Sequence, residues 1–144
     1  MLSNLDYAAF VQYSPRGNTE ISIRSRKARD VIKGGQDRAL SDLARKIKEE
    51  IARGGFAGWF DTDCTLIPIP RSAPLKDKES LWVPKNICEA LVAEGIGSEI
   101  AEKITRITSV KKSAFQAQGN RPTVENHYDS FAIEDALVAP KPSI

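Results

Sequence analysis

The sequence predicts an α/β domain in which helices flank a parallel sheet. Residues 36–55 carry apolar side chains at helical spacing, namely Leu40, Leu43, Ala44, Ile47 and Ile51. The continuous apolar stretch TLIPIP, at 65–70, predicts a strand that is covered on both faces, as is typical of parallel sheets. A loop and then a second helix follow it. The order strand, loop, helix is half of a βαβ unit.

The N-terminal segment predicts a β-hairpin. The segments AAFVQYS and TEISIRS are rich in strand-forming residues and are separated by PRGN. Ile21 and Ile23 alternate with polar neighbours, as the residues of a half-buried strand do. A short helix follows, which ends at Gly34–Gly35 and places Ala28, Val31 and Ile32 on one face.

The second half of the chain predicts two further helices, a long loop and a strand. The first helix begins near Pro84 and ends at Gly95, and its apolar stripe is Ile87, Cys88, Leu91 and Val92. Ser98 is predicted to cap the second helix, over 99–107, in which Ile100, Ile104 and Ile107 share a face. Residues 109–129 are polar and aperiodic and predict a loop, and SFAIED, at 130–135, predicts a short strand.

Length and composition indicate one domain over residues 1–144, in a cytoplasmic protein. A charged fraction of 28% and a hydrophobic fraction of 41% are ordinary for globular proteins, and no apolar run is long enough to span a membrane. The N-terminus has no basic flank, so we predict no signal peptide. Cys64 and Cys88 are not in a CxxC pair, which favours reduced thiols. Because the chain has two separated cysteines and a single histidine, we predict no metal site.

One segment is strongly basic, although the formal net charge of +2 does not by itself indicate a nucleic-acid partner. Residues 23–35 contain a single acidic residue, Asp30, and five basic ones: Arg24, Arg26, Lys27, Arg29 and Lys33. These side chains form either a solvated helix face or a nucleic-acid face that contacts phosphates.

The order of these segments resembles the ComF-like branch of the type I phosphoribosyltransferases. Four pieces carry the resemblance, over roughly residues 20 to 140: IRSRKARDVIKGG with the helix after it, LIPIPRS, the helix from Pro84 to Glu94, and ITRITSVKKSAFQAQGNRPTVENHYDSFAI. The resemblance implies a parallel sheet flanked by helices. It also implies transfer of a phosphoribosyl group from phosphoribosyl pyrophosphate in nucleotide metabolism, with Mg²⁺ as cofactor.

The chain departs from this family at its defining motif. Members have an apolar strand that ends in two acidic residues, followed by a Thr- and Gly-containing loop that binds the ribose 5-phosphate. Glu134–Asp135 is the one late acidic pair, and no such loop follows it. We therefore expect an incomplete sheet, whose open edge a protein partner would cover. In one alternative the chain is part of a glycosyltransferase that is completed by residues beyond Ile144 or by another chain. In the other it is a non-catalytic interaction module that binds a partner protein or nucleic acid.

The resemblance also implies where a ligand would bind, although it identifies no catalytic residue. Arg71 and Ser72 would face the pyrophosphate of phosphoribosyl pyrophosphate or a related phosphorylated ligand, and Lys112 and Arg121 would close over it. The donors Ser113, Gln116, Asn126 and His127 would form a flap. His127, the one histidine, is either a general acid or base or a polar surface residue.

Overall fold

The computed structural model describes residues 9–10, 13–56, 60, 63–76, 80–111 and 121–133. The helices in these ranges are α1 (Glu20–Lys33), α2 (Asp37–Ala52), α3 (Val83–Ala93) and α4 (Val124–Tyr128). The strands are β1 (Thr65–Leu66), β2 (Glu99–Ile100), β3 (Ile104–Arg106) and β4 (Phe131–Ile133). The mixed α/β class is confirmed. In the described ranges the strands form two pairs, β1 with β2 in parallel and β3 with β4 antiparallel.

The core lies between α2 and α3, where the sequence periodicity places it. Ala44 and Ile47 of α2 pack against Leu91 of α3 and against Ile96 in the turn that follows. Leu43, Ile51, Leu66, Ile87 and Ala90 surround this cluster, together with the rings of Phe10 and Phe60. Both helices were predicted from their apolar stripes, and both predictions are confirmed. Burial of these side chains is the main force that holds the two helices together.

The predicted N-terminal β-hairpin is wrong, because its second strand is the first half of α1. The Thr19 hydroxyl accepts a hydrogen bond from the Ser22 amide at 3.2 Å and so caps the helix. Glu20 and Arg24 form an ion pair at 2.7 Å, four residues apart on the helix surface. Ile21, which suggested a buried strand face, is 75% exposed. Capping and helical side-chain pairs therefore outweigh the alternation of isoleucines.

Strand β1 is shorter than predicted and is covered on one face. The Ser98 amide donates to the Cys64 carbonyl at 3.0 Å, and the Ala101 amide donates to the Leu66 carbonyl at 2.9 Å. Pro68 would present the same edge to β2 two residues later, but it has no N–H, so the ladder stops. Pro68 is fully buried, whereas Ile69 is 64% exposed. A partner over this exposed side stays a prediction.

The predicted helix over 99–107 is wrong, because this segment forms β2 and β3. Gly97 has a φ of +79°, and a Cβ there would lie 3.0 Å from the Cys64 carbonyl oxygen. Glycine thus allows the chain to turn closely against β1, and Ser98 pairs with β1 instead of capping a helix. The β-branched residues Ile100, Ile104 and Thr105 suit strands. Contacts with β1 and β4 override the helical spacing.

The predicted loop over 109–129 is wrong in part, because it contains α4. The predicted strand at 130–135 is confirmed as β4, whose Phe131 pairs with Arg106 of β3. Cys64 and Cys88 are both free, as the sequence favours. Burial raises the pKa of the Cys88 thiol, which lies on the core side of α3. No described helix has the length and apolar character needed to cross a membrane.

Candidate anion-binding site

The loop after β1 is held against the segment after β3. The Val110 amide donates to the Ser72 carbonyl at 2.8 Å, and Arg106 Nε donates to the Arg71 carbonyl at 2.7 Å. On the other side, the indole N–H of Trp82 donates to the Ile69 carbonyl at 3.1 Å. Trp82 is only 7% exposed, so this end of the loop is fixed by a buried anchor. Residues 69–72, which include Arg71 and Ser72, are therefore held from two sides.

A second set of hydrogen bonds connects β3 to the turn between α4 and β4. Arg106 Nη1 donates to the Ser130 hydroxyl, and the Ser130 hydroxyl donates to the His127 carbonyl at 2.5 Å. The Ile107 amide donates to the Ser130 carbonyl at 2.9 Å. Ser130 is 2% exposed, so its polar groups need these partners. This network brings the end of α4 beside the loop after β1.

Two cavities lie along residues 104–111. The larger, of about 460 Å³, is polar and basic, and it is lined by Thr108, Ser109, Val110, Lys111, Arg121, Pro122, Asn126, Asp129 and Ser130. The smaller, of about 260 Å³, is more apolar, and it is lined by Pro70, Arg71, Ala73, Pro74, Leu75, Trp82, Ile104, Thr105 and Arg106. The contact between Ser72 and Val110 joins their linings, so Arg71 and Arg121 belong to neighbouring cavities.

Three cations at these cavities have no partner in the part of the chain that the structure describes. Within the described ranges, the side chains of Arg71, Lys111 and Arg121 make no hydrogen bond or ion pair. Asp129 lines the same cavity as Lys111 and Arg121 but pairs with neither within 4.0 Å. Guanidinium groups bind phosphate oxygens through paired N–H donors, and an ammonium group adds a compact positive charge. This combination can bind a phosphate or pyrophosphate group.

A further cavity of about 610 Å³ lies between the start of α3 and the segment after β2, and it does not offer a free cation. Its Lys85 Nζ lies 2.7 Å from a Glu102 carboxylate oxygen and 3.8 Å from one of Glu89. The hydrogen bond with Glu102 raises the pKa of Lys85, and Glu89 adds to the effect. The two carboxylates therefore satisfy its charge.

The structure describes part of the predicted flap. Asn126 is used structurally, because its side-chain oxygen accepts from the Thr123 amide at 2.9 Å and completes a capping box at the start of α4. The His127 side chain makes no hydrogen bond within the described residues, so no carboxylate there activates it as a base. Lys112, Ser113 and Gln116 lie outside the described residues.

The predicted nucleic-acid face on α1 is not one continuous stripe. At 100° per residue, Arg24 and Lys27 lie on one side of the helix, and Arg26, Arg29 and Lys33 lie on another. Arg24 pairs with Glu20 at 2.7 Å, and Arg29 pairs with Asp30 at 2.6 Å and bonds to the Tyr13 hydroxyl. The Arg26 Nη1 is buried and has no partner among the described residues. Because two of its five cations are paired and the five are divided between two sides of the helix, the cluster is a weaker phosphate footprint than its composition suggests.

Two residues of the site, Arg106 and Ser130, were not predicted as site residues, although Arg106 belongs with Lys111 and Lys112 to a second basic cluster in the sequence. A single arginine in a β-branched strand and a serine before an aromatic residue give no local signal of a shared contact. Lys111 was noticeable only as one of several donors in a polar segment. Within the described ranges, no group of three or more His, Cys, Asp or Glu side chains could hold a metal ion.

Comparisons of the chain with protein-family models, with curated proteins and with solved structures found no match.

Proposed function

We propose that this chain is a phosphoribosyltransferase-like domain of the ComF type that binds the phosphates of phosphoribosyl pyrophosphate or a related phosphorylated ligand. One observation carries the proposal. The hydrogen bond from the Val110 amide to the Ser72 carbonyl brings the loop of Arg71 beside the segment that leads to Lys111. Cations that are about 40 positions apart in the sequence thereby line neighbouring cavities.

The geometry suits binding better than catalysis. Arg71 and Arg121 supply two guanidinium forks and Lys111 a compact cation, which can share the negative charges of a pyrophosphate. No group of three or more His, Cys, Asp or Glu side chains that could hold Mg²⁺, the cofactor that the resemblance implies, occurs among the described residues, and the proposal contains no step through a protein-bound metal. The 144 residues also lack the Thr- and Gly-containing signature loop.

The test is calorimetric titration of the purified chain with inorganic pyrophosphate at two ionic strengths. We expect binding that weakens as salt rises, because solvent-exposed charges are screened. Arg71→Ala and Arg121→Ala should each weaken binding by about 10-fold, the scale of one charge-assisted hydrogen bond. The matched control is Arg24→Ala on α1, where the guanidinium already pairs with Glu20, and it should leave the affinity within about 2-fold.

Equal affinity of the wild-type protein and both site variants would contradict the proposal, as would an absence of binding at low salt. The same protein, incubated with phosphoribosyl pyrophosphate and Mg²⁺, should release no pyrophosphate above the uncatalysed rate. Release would show that this chain cleaves phosphoribosyl pyrophosphate on its own, with water as the acceptor of the phosphoribosyl group.

A further inference from the structure

Arg106 occupies the point at which the loop after β1, strand β3 and strand β4 meet. Its Nε donates to the Arg71 carbonyl at 2.7 Å, and its Nη1 donates to the Ser130 hydroxyl. Its guanidinium lies 4.0 Å from the centroid of the Phe131 ring, a cation–π contact. Partial burial lowers the pKa of Arg106, which nevertheless stays charged at neutral pH. No carboxylate is among these partners.

The partners of Arg106 belong to both cavities. Arg71 lines the smaller cavity and Ser130 lines the larger one. The planar guanidinium can bond to a carbonyl and a hydroxyl at once, while one of its faces is covered by a ring. Lysine has neither the fork nor the planar face. The contacts thus require arginine specifically, and they use the side chain to join two segments.

We infer that Arg106 is a positioning residue for the anion site. By holding the Arg71 carbonyl against β3, it keeps the Arg71 side chain beside the cavity that contains Lys111 and Arg121. Its Nε and Nη1 donate to protein acceptors, and we assign its effect on a ligand to the placement of Arg71. The role in ligand binding rests on the proposed function, whereas the role in fixing the loop does not.

The first experiment measures loop fixation by amide hydrogen exchange, without any ligand. Arg106→Met should speed exchange of the Val110 and Ile107 amides by about 10-fold or more, because their acceptors Ser72 and Ser130 are released. The amides of α3 should exchange as in the wild-type protein. Arg45→Met, at a surface ion pair with Asp42 on α2, is the matched control and should change neither set. The inference would be overturned if every amide exchanged faster, or if the Val110 amide exchanged no faster than in the wild-type protein.

The second experiment is a double-mutant cycle with pyrophosphate as the probe. Arg106→Met should weaken binding by about 10-fold in the wild-type background but by less than about 2-fold in Arg71→Ala. Arg106 is inferred to act by placing the Arg71 guanidinium, and that guanidinium is already absent from the Arg71→Ala protein. Arg106→Lys is the milder variant, and it should not restore wild-type affinity, since charge alone does not reproduce the fork. Independent, additive losses or full rescue by lysine would overturn the inference. No binding by the wild-type protein would instead refute the proposed function, and the exchange result would stand by itself.

Discussion

Two regions of the molecule differ in what stabilises them. The helical part consists of α1, α2 and α3, and the strand part consists of β1 to β4 and α4. In the helical part, side chains three and four residues apart on α2 and α3 build the core, and α2 contributes the buried Leu40, Ala44 and Ile47 without any side-chain cap at its N-terminus. Helix α1 buries only Ser22 and begins with the Thr19 cap. In the strand part, α4 has no buried residue and begins with a capping box. Packing therefore stabilises the pair of α2 and α3, and individual hydrogen bonds stabilise the strand part.

This difference explains where the candidate site lies. Apolar packing leaves few polar groups free, and in the helical part several charged residues pair with neighbours on the same helix, as Arg24 does with Glu20 and Arg45 with Asp42. In the strand part, hydrogen bonds from distant residues fix an irregular backbone, and the cations of Arg71, Lys111 and Arg121 have no partner among the residues that the structure describes. Binding residues often lie on such loops, which a rigid scaffold positions.

The largest effect should come from a cavity in the helical core. Ile47→Ala should lower the free energy of unfolding by about 2 to 5 kcal/mol, because it removes buried methyl groups where α2 meets α3. Urea denaturation measures this change. Ile21→Ala is the matched control on α1, and it should cost less than about 0.5 kcal/mol because Ile21 is solvent-exposed. Similar losses in the two variants would show that packing between α2 and α3 is not the main source of stability.

A smaller effect should come from the turn that brings β2 against β1. Gly97→Ala should lower the free energy of unfolding by roughly 2 to 3 kcal/mol, which combines the strain of a positive φ with overpacking. Its new Cβ would lie 3.0 Å from both the Cys64 carbonyl oxygen and Leu66 Cγ.

Gly54→Ala is the matched control for Gly97. Gly54 also has a positive φ, +88°, but a Cβ there meets nothing within 4 Å. Gly54→Ala should lower the free energy of unfolding by only about 1 kcal/mol, because it adds backbone strain without a clash. Urea denaturation of both variants gives the comparison, and equal losses would mean that the approach of Gly97 to β1 adds nothing to stability.

The same contrast accounts for what the sequence could predict. The stripes of α2 and α3 depend on spacing within each helix, and they indicated both elements and their core residues. The residues of β2 and β3 have helical spacing too, but their structure depends on contacts with Cys64, Leu66 and Phe131, which no local pattern contains. Arg71, Ser72 and Arg121 could be proposed from motif order, whereas Arg106 could not, because its role depends on a carbonyl 35 positions away.

The smallest effect that separates the two parts is electrostatic and concerns the start of α4. Hydrogen bonding to its own backbone N–H lowers the pKa of Glu125 below the ordinary glutamate value. Hydrogen bonding to the Thr123 hydroxyl makes a smaller contribution in the same direction. A carboxylate with a lowered pKa stabilises the fold above its unfolded-state pKa, and this contribution is lost as pH falls through the folded-state value.

An NMR titration of the Glu125 side-chain carboxyl carbon should therefore give a midpoint below the ordinary value in the wild-type protein. In Thr123→Ala the midpoint should rise only part of the way to the ordinary value, because the hydrogen bond from the Glu125 backbone N–H remains. Thr123→Ser keeps a hydroxyl and should retain the low midpoint. If Thr123→Ala and the wild-type protein titrate alike, the hydroxyl does not contact the carboxylate in solution. The Thr123 hydroxyl would then serve α4 only as the acceptor of the Asn126 amide, at 3.3 Å, and the contrast with the uncapped α2 would rest on the capping box alone.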